Sequence, residues 1–273
     1  MRLSTRLTVA MVALVLLATT AVGVLTYRNI AAFALPRALD RIDTHAQLLG
    51  GELAASVRGA RADVIGFRAS NAVIDIMTAH LNRGIDPAAA AAETEWRRRL
   101  GLRFAAELIS KPNYHVFRYV GADDGGRELV RVERTDPGGP PRIVPDSELQ
   151  PKGDDVFKQT IQLPAGGVYV SPVDLNIETP RIPVLRVATP VHAPDGRPFG
   201  IVVINVDMRP ALARIRSSAT KGGRSYVVND QGDYLVHPDP NREFGFEFAK
   251  PLHIQDNFPE FSQILRPAIR RRA

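Results

Sequence analysis

Three arginines stand inside apolar, strand-like runs of this sequence: Arg118 in YHVFRYV, Arg131 in RELVRVE and Arg186 in IPVLRVATPV. Burying a guanidinium is costly unless an anion meets it. Its planar fork matches a carboxylate or phosphate two oxygens at a time, so one reading is a site for a small anionic metabolite. The other reading is pairing within the protein, with Glu128, Glu133, Asp174 or Glu178 on a neighbouring strand. Tyr169, Ser171, Asp174 and Asn176 add donors and acceptors just past a strand edge. They could serve the same ligand, or simply organise the turn before Pro180. The candidate ligand-binding set is therefore Arg118, Arg131, Tyr169, Ser171, Asp174, Asn176 and Arg186.

Other chemistry is less well supported. His192, His237 and Asp239 lack the spacing of a metal site. Asp123-Asp124-Gly125-Gly126 and Asn229-Asp230-Gln231-Gly232-Asp233 look like acidic calcium loops, yet hairpin turns explain them better. There is no phosphate-cradling glycine loop, G-x-S-x-G elbow or HExxH. No catalytic residue, metal or cofactor is expected. A hydrolase using Asp174, Glu178 or Asp207 as acid and base is the alternative from another class, with a periplasmic protein-interaction module as a third.

The elements that must position these residues can be read from pattern. Residues 166–207 hold three β-branched runs separated by turn signals, and the Pro194-Asp195-Gly196 turn should fold the last two into an antiparallel hairpin. Tyr114–Val120 and Arg127–Glu133 alternate around Asp123–Gly126 as a second hairpin, with Val116 and Arg118 on one face and Phe117 and Tyr119 on the other. Thr135–Pro145 reads as a Pro/Gly-rich loop, Asp154–Leu163 as a short helix, Met208–Ser218 as another and Ser225–Asn229 as a strand. Asp86-Pro87 resembles a helix start, predicting a helix over 88–110 with Trp96, Leu100, Phe104 and Leu108 on one face. Trp96 reads as core, with a pocket wall as its other use.

Upstream, LTVAMVALVLLATTAVGVL (7–25) carries no charge. At about 1.5 Å rise per residue it spans roughly the ~30 Å hydrocarbon layer. Arg2 and Arg6 favour a cytoplasmic N-terminus, so the bulk of the chain is expected outside the inner membrane. A cleaved signal, cut near Ala18 to Ala21, is the other reading. Leu39, Ile42, Ala46, Leu49, Leu53, Val57, Ala60, Val64 and Phe67 then recur at helical spacing. That stripe is either a signalling stalk with a dimer seam or an amphipathic helix lying on its own domain. The net charge of +6 is carried by Arg2, Arg6, Arg266, Arg270, Arg271 and Arg272, leaving residues 7–265 neutral. Nothing here resembles a nucleic-acid-binding face. With no cysteine, no disulfide framework or thiolate site exists.

In order, FRYVGADDGGRELVRVE, SELQPKGDDVFKQT, GGVYVSPVDLNIE, IPVLRVATPV, DGRPFGIVVINVD and NDQGDYLVHPDP with EFGFEF resemble the double-Cache extracytoplasmic sensor domain of bacterial transmembrane histidine kinases and diguanylate cyclases. The resemblance spans about residues 30–260. It implies an α/β (α+β) fold in which a membrane helix (1–27) and stalk helix (28–84) lead into a membrane-distal PAS-like module (85–207). A connecting helix and partial proximal module would follow (208–273). It further implies a small-molecule ligand in the distal module and a signal passed through the stalk to a cytoplasmic output. A homodimer through the stalk is expected, and the chain is read as a piece of a longer receptor, since no second span or output domain follows. The amino-acid-binding constellation of some members does not align clearly, which leaves the ligand class open.

Overall fold

A computed structural model describes residues 3–135, 139–176, 181–219 and 223–265. By internal contacts the chain forms two units, Met1–Leu53 and Ala54–Ala273.

The first unit is helical. Helix α1 (Leu3–Asn29) passes through a π-helical turn, Ile30–Ala34, into α2 (Leu35–Arg68), whose first residues belong to this unit. The stretch is one helix long and apolar enough to cross a membrane, and its side chains from Leu7 to Asn29 lie exposed. Pro36 follows directly on the π-helical turn inside a continuous run of helix, where its missing N–H interrupts the ladder.

The second unit starts on the last turns of α2. The apolar stripe changes character along this helix: Leu39 and Ile42 are more than half exposed, whereas Ala60, Val64 and Phe67 are buried. The expected unbroken helix to residue 84 is instead interrupted at Ala69-Ser70, and α3 (Asn71–Leu81) follows. Ser70 has extended backbone and its hydroxyl donates to the carbonyl of Phe67, so it closes one helix and opens the next.

The helix expected from residue 88 begins later. Asp86 accepts from the amides of Ala88 and Ala89, making a local Asx turn, and its side chain is spent before a helix can form. That turn joins two short strands, β1 (Ile85–Asp86) and β2 (Ala91–Ala92), and α4 runs from Glu93 to Ser110. Leu100, Phe104 and Leu108 are fully buried. Trp96 is only partly buried, under the Arg99 guanidinium at 4.5 Å.

The central sheet contains β3 (Tyr114–Gly121), β4 (Glu128–Arg134), β5 (Pro141–Ile143), β6 (Tyr169–Val170), β7 (Asp174–Leu175), β8 (Pro183–His192) and β9 (Pro198–Asp207). Their antiparallel order is β5-β4-β3-β9-β8-β6, with β7 also on β8. Strand β5 lies inside the segment read as a loop. Pairing of Val132 with Ile143 turns it into an edge strand, and Pro141, as its first residue, costs the ladder little there. The β8–β9 hairpin forms as expected, register Val184–Asp207 through His192–Pro198, with Gly196 at φ +84 in its turn. Gly200 admits β3 at close range: a Cβ there would stand 2.3 Å from the Val120 carbonyl oxygen.

A short helix, α5 (Asp155–Ile161), lies between β5 and β6, capped by Asp154, which accepts from the Phe157 amide at 3.0 Å. After β9 come α6 (Arg209–Ser217), the small hairpin β10 (Val227–Val228) and β11 (Tyr234–Val236), and α7 (Ile254–Asn257). Asn229 accepts from the amides of Gln231 and Asp233, so the acidic-looking loop is the turn of this hairpin.

Candidate functional site

Alternation gives the sheet two unlike faces. Toward α4 and the end of α2 it presents Phe117 and Tyr119. The Phe117 ring stacks on Phe104 at 4.7 Å, and both meet Phe67 at 5.2 Å. Toward α5 it presents the charged set. Cross-strand register puts Arg131, Arg118, Val203, Ala188 and Tyr169 in one row. The next row holds Glu133, Val116, Asn205 and Arg186.

Glu128 is the hub of this face. Its side chain is 0% exposed. Oε1 accepts from Arg118 Nε at 2.8 Å, and Oε2 accepts from Arg131 Nη1 at 3.0 Å and from the Gln150 amide at 3.1 Å. Arg131 Nε also lies 3.2 Å from Glu133 Oε2. Across the sheet, Arg186 Nη1 donates to both oxygens of Asp174 at 2.6 Å. Each of the three arginines thus has a carboxylate at hand. Such pairs hold their geometry firmly while adding little net stability, because desolvation consumes most of the attraction.

The remaining candidates lie along the same edge. Tyr169 is half-buried on β6, and burial, with Asp155 and Asp174 nearby, pushes its phenol above the ordinary tyrosine range. Ser171 is a backbone clamp: its hydroxyl donates to the Pro172 carbonyl and accepts from the Arg186 amide. The Asn176 amide N–H donates to Ile182, while its side-chain Nδ2 is buried without a partner. Of the carboxylates considered for hydrolysis, Asp174 is held by Arg186 and Asp207 by Arg209. Glu178 lies outside the described residues. His192 ends β8, and His237 follows β11.

Between this face and α5 is a hollow of about 20 Å³, room for one water, lined by Arg118, Val120, Lys152, Asp154, Val156, Arg186, Ile201 and Val203. Three cationic side chains from three separate segments converge on it. Asn205, one row along and on the face of Ile201 and Val203, is fully buried, and neither its Oδ1 nor its Nδ2 meets a partner. An unpaired buried amide costs on the order of 1–3 kcal/mol, so its retention in a strand points to use. Lys152 and Asn205 were not among the residues singled out from sequence. Asn205 carried a signal, as the lone amide in the apolar run IVVINV. Lys152 carried none, because only the fold brings residue 152 to β3 and β8.

An antiparallel sheet backed by helices, with charged side chains gathered on one face, is the architecture expected of a PAS-like sensor module. Residues 104–262, more than half of the chain, match the family described as "Bacterial histidine kinase, sensor domain", and the chain belongs to that family. Among solved structures it is similar to a domain of a sensory box/GGDEF family protein from Vibrio parahaemolyticus, at 16% identity over 80% of this chain and 79% of that one, TM-score 0.64. The extracellular domain of the histidine kinase vpHK1S-Z8 is similar at 17% identity over 80% and 75%, TM-score 0.62. Methyl-accepting Chemotaxis protein X aligns at 12% identity over 84% of each chain, TM-score 0.52. At these identities the likeness is one of fold. No curated protein matches the chain.

Proposed function

We propose that this sensor domain binds a small anionic metabolite on the charged face of its central sheet, within a distal module of residues 85–207. Residues 208–273 would form the proximal module. The observation that carries this reading is the convergence of Arg118, Lys152 and Arg186 on one hollow beside the unpartnered amide of Asn205. A guanidinium already paired with a carboxylate can exchange that partner for a ligand carboxylate at small net cost, since the ion-pair count is unchanged. The hollow admits about one water as it stands, so a metabolite enters by parting the Arg186–Asp174 pair and shifting α5. Strand β7, which carries Asp174, is also approached by Glu247, whose Oε1 lies 3.4 Å from the Leu175 amide. Parting that pair would therefore be felt by the segment after β11.

The apolar N-terminal helix suits a single inner-membrane span with the sensor on the periplasmic side. Leu39 and Ile42, the exposed start of the apolar stripe, suit a homodimer seam. In the intact receptor, ligand binding would bias the helix that leads from the membrane, as differential binding requires.

The test is a thermal-shift screen of the detergent-solubilised chain against small mono-, di- and hydroxy-carboxylates and phosphate. A ligand at a hundred times its Kd contributes about 2.7 kcal/mol, or roughly 5–10 °C for a domain of this size. The shift should vanish in Arg186→Met. A folded chain that no anion stabilises would overturn the reading.

A further inference from the structure

On the opposite face, at the end of the sheet where the β3–β4 and β8–β9 turns meet α3, His80 is held in an unusual way. Its Nδ1 lies 3.2 Å from Glu93 Oε2, on the first residue of α4, and its Nε2 lies 2.9 Å from Asp123 Oδ2, in the β3–β4 turn. The ring also meets Phe199 of β9 edge-on at 5.4 Å. A neutral imidazole has one donor and one lone pair, so it can satisfy one carboxylate and must turn a lone pair on the other. Only the imidazolium donates to both. His80 also sits in the last turn of α3, where the helix end favours a positive charge.

The surrounding charges leave this arrangement intact. Glu93 Oε1 is engaged by Arg97 Nε at 2.8 Å, which leaves Oε2 to His80. Arg197 lines the same groove, of about 190 Å³, but is held by Asp195 at 2.6 Å. Asp75, on His80's own helix, is raised by burial and then by Asp86, so that acid pair answers to itself and to Arg99.

We propose that His80 is a proton-operated tie joining the end of α3, the start of α4 and the β3–β4 turn, so that acidity of the surroundings is a second input to this sensor domain. Protonated, the ring fastens three elements; deprotonated, it releases at least one. Only the imidazolium can donate to both carboxylates, so the three-element tie belongs to the protonated ring. The inference does not depend on the anion-binding reading, because the tie lies on the other face of the sheet and needs no ligand.

The experiment is hydrogen exchange on the detergent-solubilised full chain without added ligand, at about pH 5.5 and about pH 8, corrected for intrinsic rates. Segment 79–93 of the unmodified protein should be about three- to five-fold better protected at the lower pH. His80→Gln should abolish the difference, and Asp123→Asn, at a 76% exposed side chain, should reduce it while leaving the fold intact. Equal protection at both pH values, or a full difference persisting in either variant, would overturn the proposal. Should His80→Gln not fold, Asp123→Asn decides alone.

Discussion

The two faces of the central sheet are made by the same strands yet obey different rules. On the side toward α4, Phe67, Phe104 and Phe117 interlock, and stability comes from apolar area withdrawn from water. On the side toward α5, Glu128 holds two arginines, Arg186 holds Asp174, and an asparagine is buried with nothing to bond. The first face rests on packing and the second on charge pairing. Adjacent residues of one strand, Phe117 and Arg118, thus belong to the apolar scaffold and to the proposed site.

The sharpest way to break that contrast is at the hub. Glu128→Gln should cost about 3–5 kcal/mol, because it removes the buried charge that Arg118 and Arg131 share. Phe117→Leu, on the other face of the same sheet, should cost only about 1 kcal/mol. Urea denaturation of the two variants compares them directly, and equal losses would erase the distinction. A smaller effect of opposite sign is expected at Asn205. Asn205→Leu removes the unpaired amide and should raise the stability of the unliganded chain by about 1 kcal/mol while abolishing any ligand-induced shift in Tm. A loss of stability instead would make Asn205 a structural residue.

The subtlest comparison is between two phenols. Burial raises both Tyr119 on the apolar face and Tyr169 on the charged face, Tyr119 much further. A phenol whose folded value is raised contributes stability that is fully present below its unfolded value and lost as pH climbs through the folded one. Phenolate absorbance during an alkaline titration should therefore show Tyr169 ionising while the fold persists, and Tyr119 only on unfolding. Tyr169→Phe and Tyr119→Phe assign the two steps.

Much of the scaffold was legible in residue order, because period-two alternation in 114–120 and 127–133 reports both strand and face, and the β-branched run in 197–207 reports a strand. The start of α4 was misread, since Asp86 caps a turn as readily as a helix and only the path of the following chain decides. Strand β5 was hidden because Pro141 and Arg142 have no strand character until β4 supplies a partner. At the site, the arginines announced themselves as charges in apolar runs, and sequence left their partners open between ligand and carboxylate. The structure supplies the carboxylates, Glu128 above all. Convergence of residues 118, 152 and 186 on one hollow is a tertiary fact that no local pattern encodes.

One carboxylate has a reach that its position near the end of α2 conceals. Asp63 Oδ2 accepts from Lys111 Nζ at 2.7 Å and from the Tyr114 hydroxyl at 2.5 Å, two side chains that bracket the passage from α4 into β3. Arg118 stands four residues further along that strand. A displacement of β3 that carries Tyr114 with it therefore pulls on Asp63, so the strand that bears Arg118 is anchored to the end of α2.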